Sequence, residues 1–435
     1  MFRTLCAAAL AAITIPALAQ ESETSKLREE IRQMQQRLDA LEAQSGPPQS
    51  ESAFNPAISA ILNGIYANLQ RDPATYRLNG FVPTLGEVAP PRRGLSLGES
   101  ELAVSANADH LFRGTLIASI SSESDGVQVE EGYIETLALS YGFTLKAGRF
   151  FSGIGYQNQI HAHAWDFTDA PLAMKAFLGN QLGDDGVQLK WVAPTTALYV
   201  DLGAEAGRGR AFPGSDRDKN GFGSSNLFAH LGGDLDASTS WLAGLSYYQT
   251  SPRDRGYTDL DSTGASVDNS FSGSSKLWAL SGVLKWAPDG NAASRSFKLQ
   301  GEYFRRKEDG TLTYDTRGAS LGTMSGDYAS RQSGWYLQGV YQFMPAWRVG
   351  YRYDQLDAGS ATLGLVDSGA LTAADFPLLQ PYNPKRHTAM VDWSASEFSR
   401  VRLQLARDYS RRGEPDNQLF LQYIVSLGAH GAHKF

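Results

Sequence analysis

His161-Ala162-His163-Ala164-Trp165-Asp166 is the run of this chain best suited to chemistry. Two histidines two residues apart point the same way in an extended segment. Asp166 then offers a third donor, so nitrogen and oxygen ligands of the kind that hold zinc or another divalent metal lie close together. Hydrogen bonds pinning a loop are the plainer use of the same residues. A second pair, His430 and His433, lies in the repeated Gly-Ala-His tail and reads as a weaker metal grip or a mobile end. Asp216-Arg217-Asp218-Lys219-Asn220-Gly221 begins like a calcium loop. Leu227 stands where the bidentate carboxylate is needed, so it reads as an ordinary exposed loop. Phosphate-loop, nucleophile-elbow and His-Glu-x-x-His motifs are absent. The expectation is no catalytic residue, no required cofactor and no enzyme.

The elements that must position these residues alternate with period two. Near the end of the chain, Leu419, Leu421, Tyr423, Val425 and Leu427 share one face of a segment whose other face includes Gln422 and Ser426. Lipid on one side and water on the other fits that pattern. Sixteen such segments are expected, at 56–68, 96–107, 112–122, 127–138, 143–152, 185–193, 197–207, 226–236, 240–250, 275–287, 295–307, 333–343, 347–356, 386–395, 400–410 and 417–427. Connections after even-numbered segments are short. Most of those after odd-numbered ones are long, above all 69–95, 153–184, 251–274, 308–332 and 357–385. Bacterial outer-membrane barrels have this asymmetry, and an even count puts both ends in the periplasm.

Composition agrees. Hydrophobic residues are 42%, mean hydropathy is −0.31, and past residue 19 no stretch approaches the roughly 20 apolar residues of a membrane helix. A soluble β-sandwich or propeller also alternates. Interfacial aromatics favour the barrel: Trp335, Tyr341 and Phe343 share one face, as do Trp347, Tyr351 and Tyr353. The expected fold is all-β, a 16-stranded antiparallel transmembrane β-barrel over residues 54–435, in contact with outer-membrane lipid and lipopolysaccharide.

If lipid takes the apolar face, the opposite parity lines the interior. Early strands then send Glu99, Glu101, Glu131, Glu135 and Asp201 inward, although the apolar parity of 127–138 is unclear. Late strands send Lys298, Arg306, Arg348, Arg352 and Arg402. An acidic wall facing a basic one sets a transverse field across a wet pore and favours small hydrophilic or ionic solutes. Ion pairs filling the interior are the alternative. Arg149 and Arg407 fall on the apolar parity, which requires either a register shift or a place at the rim, where they could snorkel.

The N-terminal region has its own pattern. Residues 1–19 resemble a secretory signal, with Arg3, an apolar stretch and Ala17-Leu18-Ala19 for cleavage. Cys6, the sole cysteine, would leave with it, and the loss of Arg3 takes the net charge from −7 to −8. That acidic balance argues against nucleic acid. Within 20–53, Leu27, Ile31, Met34, Leu38 and Leu41 follow a four-three heptad spacing, which predicts a short periplasmic α-helical coiled coil before a Pro-containing linker.

The opening Phe54-Asn55-Pro56-Ala57-Ile58-Ser59, the strand Glu130-Glu131-Gly132-Tyr133-Ile134-Glu135 and the run Leu145-Lys146-Ala147-Gly148-Arg149-Phe150-Phe151 after the heptads resemble the phosphate-selective porin group. The resemblance implies a trimeric sixteen-stranded diffusion channel in the bacterial outer membrane. Anion selection in that group depends on basic ladders, which Glu99, Glu101, Glu131 and Asp201 offset here. Some chains with this opening and a His-Ala-His-Ala-Trp-Asp loop resemble proteins labelled TonB-dependent receptors. Those need a folded plug in a barrel of about 22 strands, and 20–53 is too short for one. The expected function is therefore a porin, a passive diffusion channel constricted by loop 153–184. A zinc-linked uptake channel using His161, His163 and Asp166, and a non-conducting structural or adhesive barrel, are the alternatives.

Overall fold

Alternating lipid-type and polar residues require every backbone group to pair within a closed sheet, and the chain does so. The computed structural model describes residues 56–84, 88–121, 126–195 and 198–428. The signal-like segment, the heptads, and His430 and His433 lie outside the described residues. Sixteen antiparallel staves form one barrel. They are β1 (Ala57–Leu69), β2 (Gly94–Leu97 continued by Ser100–Asn107), β3 (Phe112–Ile120), β4 (Gln128–Thr136), β5 (Phe143–Phe151), β6 (Gly183–Val192), β7 (Tyr199–Gly207) and β8 (Ser224–Asp236). Then follow β9 (Thr239–Thr250, continued by Arg255–Leu260), β10 (Ser266–Trp286), β11 (Ser296–Tyr314), β12 (Met324–Met344), β13 (Trp347–Leu363), β14 (Lys385–Ser396), β15 (Ser399–Asp408) and β16 (Asp416–Gly428). The last stave closes on the first, from Ser59 opposite Gly428 to Leu69 opposite Gln418.

The expected faces hold. Leu421, Tyr423 and Leu427 of β16 point outward and are about half exposed, whereas Gln422 and Ile424 are buried inside. On β10 the outward row runs from Trp278 through Leu280 and Leu284 to Trp286. Eight residues span roughly 26 Å along a strand and about 20 Å along the axis of a tilted one, close to the apolar band of an outer-membrane barrel. Trp335, Tyr341, Trp347 and Tyr351 are likewise exposed on the outside. Among the described residues no helix is long and apolar enough to cross a membrane.

Much of the sequence expected as loop at 251–274 and 308–332 is strand. β10, β11 and β12 run 21, 19 and 21 residues. Beyond the aromatic band their outward residues become Ser272, Ser270, Arg305, Lys307 and Arg331, so the ladder continues in water. A stave needs apolar outward residues only where lipid is. Arg149 and Arg407 settle at the long-loop rim: Arg149 pairs with Asp185 at 2.6 Å, and Arg407 donates to Asn417 at 3.1 Å. Neither pairing shows a register shift.

The long connection between β5 and β6 folds into the barrel and carries a buried helix, α1 (Leu172–Leu178). Asp354 of β13 accepts from the Leu172 amide at 2.9 Å, so the wall itself caps this helix. Gly179, at φ 66, ends it. Leu172, Met174, Phe177 and Leu178 pack on Phe304, Leu277 and Leu356 of the wall and on Phe81 of another loop.

A charge on the lipid face should be costly only inside the apolar band. Leu280→Arg is expected to lower folding stability in lipid vesicles by about 2–4 kcal/mol if it lies near mid-bilayer. Thr311→Arg, outward on β11 but beyond the band, should change it by less than about 0.5 kcal/mol. Denaturant titration of both variants checks the assignment, and equal losses would contradict it.

Candidate functional site

Charge placement along the inner loop matches the two walls it crosses. On the acidic side, Glu101 projects from β2. β4 carries a bulge: Glu131 pairs with Ile117 and Val129 with Ala118, leaving Glu130 between them. Outward parity therefore switches from Val129 to Ile134, which are 42% and 57% exposed. This explains the unclear alternation in the sequence, and it turns two consecutive glutamates toward the interior. His161 Nδ1 lies 3.1 Å from Glu101 Oε2 and 3.2 Å from Glu130 Oε2, and its Nε2 lies 3.0 Å from Glu131 Oε2. His163 Nδ1 is 2.8 Å from the other oxygen of Glu101. The two imidazoles stack with centroids 5.9 Å apart. Burial opposes charge on His161, but its hydrogen bonds to the carboxylates of Glu101, Glu130 and Glu131 push its pKa well above the usual histidine value.

Asp166 does not join the histidines. A short turn at Ala162–Ala164, fixed by the Trp165 indole donating to the Ile160 carbonyl at 2.7 Å, sends it to the opposite wall. There it meets Lys298 and Arg348, each at 3.1 Å. Asp169 follows, paired with Arg352 at 3.2 Å, with Lys175 at 3.4 Å and with Arg386. Arg402 donates to the Trp165 carbonyl at 3.0 Å, and Arg400 to that of His163. β15 thus grips alternate carbonyls of the extended loop. Burial works against the charge of Asp169, but Arg386, Lys175 and Arg352 overcome it and hold the carboxyl far below the usual aspartate range.

The other residues expected to face inward are placed as follows. Arg306 is fully buried near Glu308 and donates to the Ala176 carbonyl at the end of α1. Asp201 contacts His230 at 3.3 Å and accepts from Tyr199 at 2.8 Å. Glu135 lies at the short-turn end opposite Lys146, and Glu99 in the break between the two segments of β2. Facing inward is not the same as meeting water. Arg306, Arg352 and Arg402 are sealed by the loop, whereas Lys298 and Arg348 keep about a quarter of their side chains exposed. These two, with Asp166, Lys285 and Gln342, border a cavity of about 470 Å³ that reaches turn residues at the short-turn end.

Sequence reasoning missed Glu130, Asp169, Asp354, Arg386 and Asp392. Arg386 and Asp392 had a signal, since both occupy the inward parity of an expected strand. Asp354 had the same one, two residues beyond Arg352. Glu130 was hidden by the bulge, and Asp169 by the path of the loop.

No family model matches the sequence. An uncharacterized protein of Aquifex aeolicus (strain VF5) is 30% identical over 419 residues, covering 89% of this chain and 81% of its own. The outer-membrane protein OmpT of Vibrio cholerae, solved in a trimer form, superposes with a TM-score of 0.52 at 10% identity, covering 86% of this chain and 99% of that one. The anion-selective porin from Comamonas acidovorans gives 0.51 at 12% identity over the same shares. At such identities the likeness is one of fold: the barrel has the architecture of outer-membrane porins.

A depressed carboxyl pKa stabilises docking above the ordinary aspartate value and loses that contribution only as pH falls through the depressed one. Hydrogen exchange of residues 165–170 should therefore show no loss of docking at Asp169 between pH 7 and 5, once intrinsic rates are corrected. Asp169→Asn should weaken docking by about 3 kcal/mol, roughly a hundredfold in local opening. Unchanged exchange in that variant would contradict the assignment.

Proposed function

We propose that this chain, which belongs to one family with the uncharacterized Aquifex aeolicus protein, is an outer-membrane porin-type channel for small hydrophilic or ionic solutes, gated by its inner loop. The observation that carries this reading is the charge match across the interior, with His161 and His163 on the acidic wall and Asp166 and Asp169 on the basic one. Two charges removed from water contribute little net stability, because rehydration offsets what separation loses. A segment held in part by such pairs, with Trp165 and Phe167 as its apolar anchors, can leave the lumen at less cost than one held by apolar packing alone. The helix α1 cannot leave so readily, since its apolar face is buried against β10, β11 and β13. Passage then requires the crossing segment 155–170 to swing while α1 stays fixed. Gly155, at φ 66, starts the segment where a Cβ would fall 2.3 Å from Glu302, so the position requires glycine.

In this reading the short-turn end faces the periplasm, and the cavity at Lys298, Arg348 and Asp166 is its vestibule. Transport is passive. Phosphate is no special substrate, because Asp166, Asp169, Asp354 and Asp392 pair the late-wall arginines. The trimer form of the Vibrio structure supports a homotrimer set in lipid and lipopolysaccharide.

A non-conducting structural barrel is the second reading, favoured by the full burial of Arg306, Arg352 and Arg402. Planar-bilayer recording separates the two. Wild-type protein should stay mostly closed with discrete openings, and Asp169→Asn should raise the open fraction several-fold. Silence from both folded proteins would establish the structural reading. Equal, steady conductance from both would remove the loop as the gate.

A further inference from the structure

We propose that the pocket where β2 and β4 meet the inner loop binds one divalent transition-metal ion of the zinc class, through His161 Nδ1, Glu101 and Glu130, with a fourth position left for water. One donor atom from each of Glu101, Glu130 and His161 lies within 4.8 Å of the others. The Nδ1 of His161 is 3.1 and 3.2 Å from the two carboxylate oxygens. Ligands about 2.0–2.1 Å from a tetrahedral ion stand about 3.3 Å from one another. The spacing is therefore that of one coordination shell, and a small adjustment admits the ion. His163 Nδ1, 2.8 Å from the second oxygen of Glu101, orients that carboxylate.

The hydrogen bonding points the same way. Neutral imidazole has one N–H and one lone pair. When a metal takes the place of the Nδ1 proton, Nε2–H donates to Glu131, 3.0 Å away, and the Nδ1 lone pair is directed at the ion between the two carboxylates. A carboxylate on the far nitrogen is the usual means of fixing a metal-binding histidine's tautomer and orientation. A proton on Nδ1 can serve one oxygen well, whereas a cation serves both carboxylates and the ring. An imidazole nitrogen among the donors favours zinc-type ions over calcium or magnesium, which take oxygen. The carboxyl of Glu101 is almost fully buried, while Glu130, Glu131 and the histidines keep roughly an eighth of their side chains exposed, so an ion can reach the pocket.

Because Glu101 and Glu130 belong to the wall and His161 to the loop, a bound ion fastens one to the other. Binding does not depend on conduction, so a silent barrel would leave it intact.

The test uses the full-length protein, folded in detergent and stripped with a chelator. Zinc is titrated calorimetrically, and cobalt(II) is followed by its visible absorption. One equivalent should bind, with a tetrahedral cobalt spectrum. His161→Ala and Glu130→Gln should each weaken affinity at least tenfold while the barrel's circular dichroism is unchanged. Should His161→Ala fail to fold, Glu130→Gln decides alone. The proposal is overturned by absence of saturable binding, by unaltered affinity in the folded variants, or by binding that disappears only with His430→Ala, His433→Ala.

Discussion

A loop whose charges run in the opposite sense to those of the barrel around it is the constraint on which the rest of the structure depends. From His161 to Asp169 the chain crosses from an acidic wall to a basic one, and each end meets its complement. Reversed, the same segment would set carboxylates against glutamates in a poorly hydrated space, where repulsion is strong. The transverse field of the walls therefore fixes how the loop lies. It also explains why so many charged side chains survive desolvation: Arg352, Arg386 and Arg402 are each met by a carboxylate within the interior.

The loop has two halves with different energetics. In α1, burying residues such as Phe177, Leu178 and Met174 contributes about 1.5–3 kcal/mol each, with nothing to recover on exposure. At the charged pairs of the crossing segment, Coulomb attraction and desolvation nearly cancel, and Trp165 and Phe167 supply its apolar burial. Loss of structure should begin where that balance is closest. The same molecule can thus hold a fixed inner ledge and a movable bar, as a gated channel needs. Closure into a barrel frees the interior for this arrangement, because lipid satisfies the outside and no apolar core is needed between staves.

The staves were legible in the sequence because lipid imposes period two on one face of each. Leu419 to Leu427 and Trp335 to Phe343 announce both the strand and its outward side. Strand length was less legible, since Ser270, Ser272 and Arg331 look like loop to anyone counting apolar residues, yet the ladder needs only backbone there. The site was half legible. His161 and His163 both meet Glu101, brought there by the turn at Ala162–Ala164 rather than by an extended segment, and Glu101 lies inward as parity requires. Asp166 leaves the histidines because of a turn set by Trp165, and Glu130 turns inward because of one extra residue in β4. Neither event has a periodic signature. Parity also cannot report that Arg352 and Arg402 are covered, because a loop folded into the barrel is a tertiary fact.

The most direct test of charge matching is a double-mutant cycle on Asp169 and Arg386, read by hydrogen exchange of residues 165–170 in the folded barrel. If these partners dock the loop, Asp169→Ala and Arg386→Ala will each accelerate exchange, and the double variant will be far less impaired than their sum. A coupling of about 2 kcal/mol or more is expected for a pair this buried. Additive effects, within about 0.5 kcal/mol, would mean that the loop is held by its apolar helix alone and that the charges merely tolerate one another.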